Sequence, residues 1–255
     1  MCSIKEKKIK VLHILVCLGD GGVENVLLTW YKKIPNFIHF DFLVLNKGIL
    51  DDYFVSNGSC VHYLPRNIAY KPWLHSSYIK ELVLNFRYDI VHFHRFAFGG
   101  LIMRAMKKCN VSGRIVHSRS TIFQEQSAIK RMLYIPFHLF INRYYLIRYA
   151  THILACSNEA GRFLMGPLWG VSHKCIYLPN GASISEFKSL IGSSTREILC
   201  NRHRIPLDAI VIGHFGRMEP VKNHKHLLDV FAVLYRRSSK YWLFLGGGGL
   251  FRVML

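Results

Sequence analysis

The stretch Val11-Leu12-His13-Ile14-Leu15-Val16, followed by Gly19-Asp20-Gly21-Gly22-Val23-Glu24, decides the fold. Its almost continuously apolar first half is typical of a parallel β-strand that is covered on both faces. The glycines favour a tight turn into a helix, whose first N–H groups attract anions. Because the Gly-x-Gly-x-x-Gly spacing is absent, two interpretations stay open: a ligand-binding turn, or a plain strand-to-helix turn in which Glu24 favours the helix dipole.

This alternation of apolar strands and helical segments extends over the first two thirds of the 255 residues. It predicts an α/β fold with a doubly wound parallel sheet. The predicted strands are Ile9–Leu18, Phe40–Leu45, Cys60–Leu64, Ile90–His94, Arg114–His117, Thr151–Cys156 and Cys175–Leu178, and the predicted helices are Val23–Lys33, Leu74–Arg87, Gly99–Lys107, Ile129–Tyr149 and Ser157–Met165.

The composition changes after residue 187. Residues 188–206 are polar and charged, which predicts a connector with some helix between a first domain, 1–187, and a second unit, 207–255. In the second unit we expect a strand at Ala209–Phe215, a helix at Asn223–Arg236 and a strand at Tyr241–Leu245. A lone βαβ unit cannot bury both faces of its strands. The second unit is therefore expected to be an incomplete Rossmann-like domain or an appendage on the first.

The chain carries 34 Lys and Arg against 15 Asp and Glu, a formal net charge of +19. This charge predicts an anionic partner, either nucleic acid, an anionic membrane face or a phosphate-bearing small molecule. The basic residues are scattered, and no recognition-helix, RNA-binding-sheet or zinc-finger signature is present. We therefore expect no nucleic-acid partner; steeply salt-dependent binding to DNA or RNA would mark that alternative.

Hydrophobic residues make up 51% of the chain, which excludes intrinsic disorder. No uncharged apolar run approaches the ~20 residues that span a bilayer, and no signal peptide is expected. The seven cysteines are odd in number and form no Cys-x-x-Cys pair. They predict reduced, packed thiols and no structural zinc site, as in a cytoplasmic protein.

Polar side chains stand at the carboxyl ends of two predicted strands, where open parallel sheets bind their ligands. His94 ends one strand, and period-2 alternation places His92 on the same side. His117 ends the next strand and suits a contact to a sugar or phosphate, while Ser118 and Arg119 suit an anion. The alternatives are a hydrogen-bonded structural His94 and a capped turn after His117.

The segment Gly213–Asn223 contains the most chemically suggestive turn. Gly216 permits close backbone approach, and Arg217 and Lys222 can both grip a diphosphate. Asn223 is expected to cap the next helix, whose N-terminus adds N–H donors. Two solvated surface cations are the alternative. The four glycines 246–249 form either another phosphate-facing turn or a flexible end.

Residues 130–148 mix cations with large aromatic side chains. This composition suits a helix that lies on an anionic membrane surface, such as the inner face of the plasma membrane. A core-packed helix with a basic outer face is the alternative. Pro136 is expected to kink or split this helix.

These motifs, in this order, resemble the GT-B glycosyltransferases, specifically glycosyltransferase family 4. Gly21-Gly22-Val23-Glu24 is similar to the family's Gly-Gly-x-Glu turn, and Asp89-Ile90-Val91-His92-Phe93-His94 to its Asp-Ile/Val-Val-His-x-His strand. Further similar segments are Ala155–Glu159, Tyr177–Phe187, Gly213–Asn223 and Leu243–Gly248.

The resemblance implies two Rossmann-like domains, with the acceptor side at 1–187 and the start of a nucleotide-sugar-binding domain at 207–255. It implies transfer of a sugar from a UDP- or GDP-linked donor to a glycan or lipid-linked acceptor, with retention and without a metal or cofactor. Bacterial surface polysaccharide synthesis is the implied setting.

The same resemblance assigns roles to residues. His117 is the expected catalytic residue, facing the acceptor and the reacting sugar. Positive charge on the diphosphate leaving group would lower the barrier most. The expected donor-diphosphate residues are Gly21, Gly22, Gly216, Arg217 and Lys222, and the expected acceptor-side residues are Glu24, His94 and Arg119.

The chain departs from the family pattern in three places. Arg119 stands where the family often has the second His of His-Ser-His, and Ala182 follows Asn180-Gly181 where Asp is usual. No Glu-x7-Glu element, which holds the donor sugar and ribose in the family, follows Gly249. We therefore expect a truncated or frameshifted family member, with a non-catalytic nucleotide-binding fragment as the alternative.

Overall fold

The computed structural model describes residues 8–69, 71–94, 98–121, 132, 135–182, 184–189, 192 and 195–247. The chain divides into two compact units, Met1–Ala182 and Ser183–Leu255. The stretch that the sequence assigns to a connector, 188–206, lies within the second unit. It carries the helix Thr195–His203, and Cys200 packs with Ile205 and Ala209 in the core of that unit. The polar composition of residues 188–206 did not indicate that Cys200 and Ile205 would be buried in a core.

The first unit is built on a seven-stranded sheet in which every neighbouring pair is parallel. The strand order is β3-β2-β1-β4-β5-β6-β7, so β1 has β2 on one side and β4 on the other. This arrangement confirms the predicted α/β class with a doubly wound parallel sheet. The strands are β1 Ile9–Leu15, β2 Ile38–Val44, β3 Val61–Tyr63, β4 Ile90–Phe93, β5 Gly113–Ser118, β6 His152–Ala155 and β7 Cys175–Tyr177.

Helices connect these strands. Those of the first unit are α1 Gly22–Tyr31, α2 Asp51–Ser56, α3 Arg66–Ala69, α4 Pro72–Phe86, α5 Gly99–Lys108, α6 Arg143–Tyr149 and α7 Asn158–Met165, with a π-helical turn at His138–Asn142 and a 3-10 turn at Gly166–Leu168.

Both faces of the sheet are buried, which explains the almost continuous apolar runs in its strands. Leu12 and Ile14 of β1 pack in one core cluster with residues of α4 and α5. Val11 and Leu15 lie on the opposite face of β1 and pack in a second cluster with residues of α1 and α2. Alternation therefore places His13 on the face that α1 covers.

The predicted helix Ile129–Tyr149 falls partly outside the described residues. Residues 135–149 are helical, and the π-helical turn begins two residues after Pro136. Within this turn, buried Asn142 accepts a hydrogen bond from the backbone N–H of Gly100, at 2.7 Å. That bond satisfies a free N–H in the first turn of α5, so Asn142 caps α5 from another element.

The second unit contains the predicted βαβ pattern. Its parallel strands are β8 Ile210–Phe215 and β9 Tyr241–Gly246, and its helices are α8 Ile184–Ser189, α9 Thr195–His203 and α10 His224–Arg237. In none of the described helices of the chain is there an apolar stretch of the length needed to cross a bilayer.

Candidate functional site

Four buried histidines from three adjacent strands form a cluster towards the carboxyl ends of β1, β4 and β5. These residues, called the histidine cluster below, are His13, His92, His94 and His117, and each is at most 7% exposed. His13 stands in register with His92 across the β1–β4 pair. Chain order reverses direction between β1 and β4, which is where open α/β sheets form their ligand crevice.

The histidine cluster is held by two short contacts between its members. His13 Nδ1 lies 3.0 Å from His94 Nε2, and His92 Nε2 lies 3.3 Å from His117 Nδ1. The rings of His92 and His117 are stacked, with an interplanar angle of 4°. The indole ring of Trp30, on α1, stacks at 6.1 Å from His92 and 6.4 Å from His117.

Burial keeps these imidazoles neutral. It lowers the pKa of His13 and of His117 to about 3, and the positive charge of Arg119 adds to the effect in both cases. Burial, together with the neighbouring histidines and Arg119, holds the pKa of His92 and of His94 well below the ordinary value. At neutral pH the cluster therefore consists of uncharged hydrogen-bonding rings.

Arg119 fixes the tautomer of His117. Its Nη2 lies 3.3 Å from His117 Nδ1, and a guanidinium can only donate. His117 Nδ1 must therefore accept, which leaves the ring proton on Nε2. His117 Nε2 is buried and has no hydrogen-bond partner among the described residues. His117 thus carries an N–H on Nε2 that has no partner among the described residues, and it is not poised to act as a base.

Arg119 is itself held on three sides. Its Nη1 donates to Asn180 Oδ1 at 2.6 Å, and its guanidinium lies 5.5 Å from the centre of the Trp30 ring. Burial lowers the pKa of Arg119 to about 10, against the charges of Cys156 and Glu24, which raise it. The guanidinium is still a cation at neutral pH, in a half-buried position.

The glycine turn ends as predicted, at the start of a helix. Gly22 is the first residue of α1, and Gly21 is the N-cap residue, without a side-chain cap. The Glu24 carboxylate folds back so that its Oε2 would lie 2.5 Å from a side chain at Gly21. A methyl group at Gly22 would meet no described atom within 4 Å, so this turn leaves open space beside the helix N-terminus.

In the second unit, Gly216, Arg217 and Lys222 form what we call the basic turn. The stem of Lys222 lies over Gly216, with Cε 3.6 Å from the position of an added Cβ. Arg217 Nη1 makes an ion pair with Glu219 Oε1 at 3.0 Å, a partner that the sequence interpretation did not include. Asn223 occupies the N-cap position of α10, but its side chain does not cap the helix.

The structure thus groups the predicted site residues into two sets. His94, His117 and Arg119 come together in the first unit, where Glu24 acts electrostatically on Arg119. Gly216 and Lys222 come together in the second unit. Of the predicted glycine-rich turn 246–249, Gly246 ends β9 and the backbone of Gly247 abuts Gly216, while 248–249 lie outside the described residues.

From the sequence we did not identify His13 or Trp30 as site residues, nor the side-chain contact that Asn180 makes. His13 had a usable signal, because it is a polar residue inside an otherwise apolar run on the same strand as the glycine turn. Trp30 and Asn180 carry no such local signal, since only the fold brings them to Arg119.

A metal ion is geometrically possible within the histidine cluster. One ring nitrogen from each of His13, His92 and His94 lies within 4.8 Å of the others. However, the Arg119 charge that disfavours protonated imidazoles also disfavours a divalent cation. A shallow depression of about 440 Å³ lies elsewhere, at the amino ends of β1, β4 and β5, and contains none of these residues.

Comparison with known proteins identifies the family of the chain. A family model described as Glycosyltransferase Family 4 matches residues 20–186. EpsF of Bacillus subtilis (strain 168), whose name carries a provisional assignment as a glycosyltransferase, is 30% identical over 244 residues. The alignment covers 94% of this chain and 62% of EpsF, so the chain spans less than two thirds of that relative.

Solved structures show the same fold at low identity. Anabaena Alr3699/HepE in complex with UDP-glucose superposes with a TM-score of 0.69 and 17% identity, over 96% of this chain and 62% of that one. A glycosyltransferase from Rickettsia africae ESF-5 gives a TM-score of 0.68 and 18% identity, over 94% and 60%. These structures show that the fold is shared. The family match over residues 20–186, together with the 30% identity to EpsF, establishes that the chain belongs to Glycosyltransferase Family 4.

Proposed function

We propose that this glycosyltransferase moves a sugar from a UDP- or GDP-linked donor to a glycan or lipid-linked acceptor, with retention and without a metal. The carrying observation is the Arg119–His117 contact, which places a guanidinium and a neutral N–H donor at the ligand edge of the sheet. Complexes of Alr3699/HepE with UDP and with UDP-glucose support a nucleotide-sugar donor. The relative EpsF supports a bacterial setting, and we place the reaction in surface polysaccharide synthesis.

In this mechanism His117 acts as a donor. Its Nε2–H would bind an oxygen of the reacting sugar or the acceptor and orient it, because its pKa of about 3 makes proton abstraction ineffective at neutral pH. The pair His13–His94 supports the cluster from behind. This role refines the catalytic assignment of His117 to a positioning contact with the reacting atoms.

The leaving group is the second chemical problem. Cleavage of the donor releases a nucleoside diphosphate whose new charge must be stabilised. The basic turn would supply that stabilisation through Arg217, Lys222 and the backbone at Gly216. In the first unit, the helix N-terminus at Gly21 and Gly22 has N–H groups of the kind that bind phosphate. Arg217 would exchange Glu219 for the diphosphate. With two cations in this role, a metal is not needed to neutralise the diphosphate.

The Arg217–Glu219 ion pair also favours a second candidate, a protein that binds a nucleotide without turnover. In that case the carboxylate holds the cation away from the diphosphate. Replacement of Glu219 by Gln separates the two candidates. It should raise transfer if the pair is a resting state, and it should change only nucleotide affinity if turnover is absent.

We further propose a cytoplasmic location with peripheral contact to an anionic membrane face. Of residues 130–148, the described part carries exposed Phe140 and Tyr144, at 73% and 62%, on the helical segment whose other side buries Asn142 and Leu146. Arg143 is not available to lipids, because it donates to the backbone carbonyls of Phe163 and Leu164. Sedimentation with anionic and neutral vesicles tests this contact, and equal binding to both would contradict it.

The decisive experiment measures binding, hydrolysis and transfer with a panel of UDP- and GDP-sugars. The matched pair of variants is Gly22→Ala and Gly192→Ala. An added methyl at Gly22 meets no described atom, and one at Gly192 makes only an ordinary 3.6 Å contact with Thr195, so neither should disturb the fold. Weaker donor binding in Gly22→Ala alone supports the assignment. If no UDP- or GDP-sugar of the panel binds, the assignment is wrong.

A further inference from the structure

Arg119 has more hydrogen-bond donors than the protein uses. A guanidinium carries five N–H donors. One is given to Asn180 Oδ1 and one to His117 Nδ1. The Nε of Arg119 is buried and has no partner among the described residues. Within the described part of the chain, three of the five N–H donors of this cation are therefore uncommitted.

The charge of Arg119 is not neutralised by a direct ion pair within the described residues. The two acidic influences on it, from Glu24 and Cys156, act at longer range. Arg217, by contrast, has a carboxylate at 3.0 Å. A half-buried cation that lacks such a partner has lost part of its hydration without full compensation. An anionic ligand would supply the missing partner.

The guanidinium is also held in a fixed orientation. Trp30 lies against its face, while Asn180 and His117 hold its two terminal nitrogens. A flat, oriented fork binds an oxyanion through two parallel N–H bonds, which a lysine in the same place would not reproduce. Phosphate and carboxylate both present the required pair of oxygens.

We propose that Arg119 binds an oxyanion, a phosphate or a carboxylate, carried by the acceptor, so that the protein glycosylates acidic acceptors. The inference rests on the proposed function and specifies its acceptor class. Arg119, His117 and Asn180 all lie in the first unit, whereas the residues proposed for the donor diphosphate include the two cations of the second unit. Since those two cations already account for the charge of the diphosphate, we assign Arg119 to the acceptor.

The test compares three probes that differ in charge. The full chain, with UDP at saturation, is titrated with methyl α-glucoside, methyl α-glucuronide and glucose 1-phosphate, using the fluorescence of Trp30 as the signal and Trp30→Phe to verify its source. We expect the two anions to bind roughly tenfold or more tighter than the neutral glucoside. Inorganic phosphate alone should bind more weakly than glucose 1-phosphate.

Two variants of Arg119 and one control complete the design. Arg119→Gln should remove the preference for anions, so that the three sugars bind with similar affinity, and Arg119→Lys should keep part of the preference for phosphate and lose that for glucuronide. Arg162→Gln, which removes an exposed arginine of α7, should change nothing. If Arg119→Gln does not fold, the Lys variant and the three-probe comparison on the unaltered chain still decide.

Several results would overturn the inference. Equal affinity of the unaltered chain for all three sugars would exclude a charge-reading acceptor site. Loss of UDP affinity in Arg119→Gln, with the probes unaffected, would move Arg119 to the donor. Inorganic phosphate binding as tightly as glucose 1-phosphate would reduce the site to a simple anion site. Failure of UDP to bind at all contradicts the proposed function, while the probe comparison without UDP still tests Arg119.

Discussion

The histidine cluster and the basic turn are built in opposite ways. The cluster lies inside a sheet covered on both faces, and its four rings are neutral because burial excludes their charged forms. The basic turn is exposed, with Arg217 at 60% side-chain exposure and paired with Glu219. The comparison teaches that, under the proposed function, the first region would hold its hydrogen-bonding groups in place before a ligand binds, whereas Arg217 in the second would first have to leave Glu219.

The largest effect that we expect is that of acid, which should lower the stability of the histidine cluster but not that of the basic turn. The folded-state pKa values of His13 and His117 are lowered to about 3, below the ordinary 6.5. Between these values the unfolded chain binds more protons than the folded one, so stability is full above pH 6.5 and falls as pH decreases towards 3. Each such histidine contributes a slope of about 1.4 kcal/mol per pH unit in that window.

Urea unfolding at pH 7.5, 6.5 and 5.5 measures this slope. The variant His117→Gln cannot titrate and should show a slope that is smaller by the share of one histidine. His92 and His94, whose pKa values are also lowered, should add to the slope in the same direction. A free energy of unfolding that stays constant from pH 7.5 to 5.5 would show that the rings are not buried as described.

Replacing a side chain by Ala should lower the free energy of unfolding more in the histidine cluster than in the basic turn at neutral pH. His13→Ala removes a fully packed ring and leaves His94 Nε2 without its partner, which should cost about 2–4 kcal/mol of unfolding free energy. Lys222→Ala removes an exposed side chain, which should cost less than about 0.5 kcal/mol. Chemical denaturation of both variants checks the contrast, and similar losses would contradict it.

The sequence predicted the sheet well because each strand is buried on both faces. Leu12 and Val11 lie in different core clusters, and this double burial is what produces an uninterrupted apolar run. Gly22 at a helix start followed from the local preference of glycine for such a turn. Asn223 holds the expected N-cap position but lacks the side-chain hydrogen bond that makes asparagine a cap. Information of this kind is contained in a few adjacent residues.

The contacts inside the site could not be predicted in the same way. The His13–His94 contact joins residues 81 apart and depends on β1 lying beside β4, although two strands separate them in the chain. The Arg217–Glu219 pair depends on the conformation of an irregular turn, since residues two apart do not face each other in a helix. Both required the three-dimensional arrangement of the chain.

Substitutions in the basic turn should weaken nucleotide binding without lowering the stability of the fold. Arg217→Ala and Lys222→Ala should each weaken UDP binding by roughly tenfold or more, because each removes a charge-assisted contact to the diphosphate. Lys225→Ala removes an exposed lysine in the first turn of α10 and serves as the matched control. Calorimetric titration with UDP measures the effect. Unchanged affinity in both variants would remove the diphosphate role.

Metal ions should have the smallest effect of all. The histidine cluster has the donor atoms for a transition metal, but Arg119 lowers the proton affinity of all four rings, and the same field opposes a divalent ion. We expect no stoichiometric metal in the purified protein and no change in donor binding with EDTA. Arg119→Gln should raise the affinity of the cluster for Co²⁺, because the opposing charge is removed. The visible absorption of bound Co²⁺ measures this binding. Tight Co²⁺ binding by the unaltered chain, lost in His13→Ala, would instead make the cluster a metal site, and the contrast between a neutral interior and a basic turn would no longer describe this molecule.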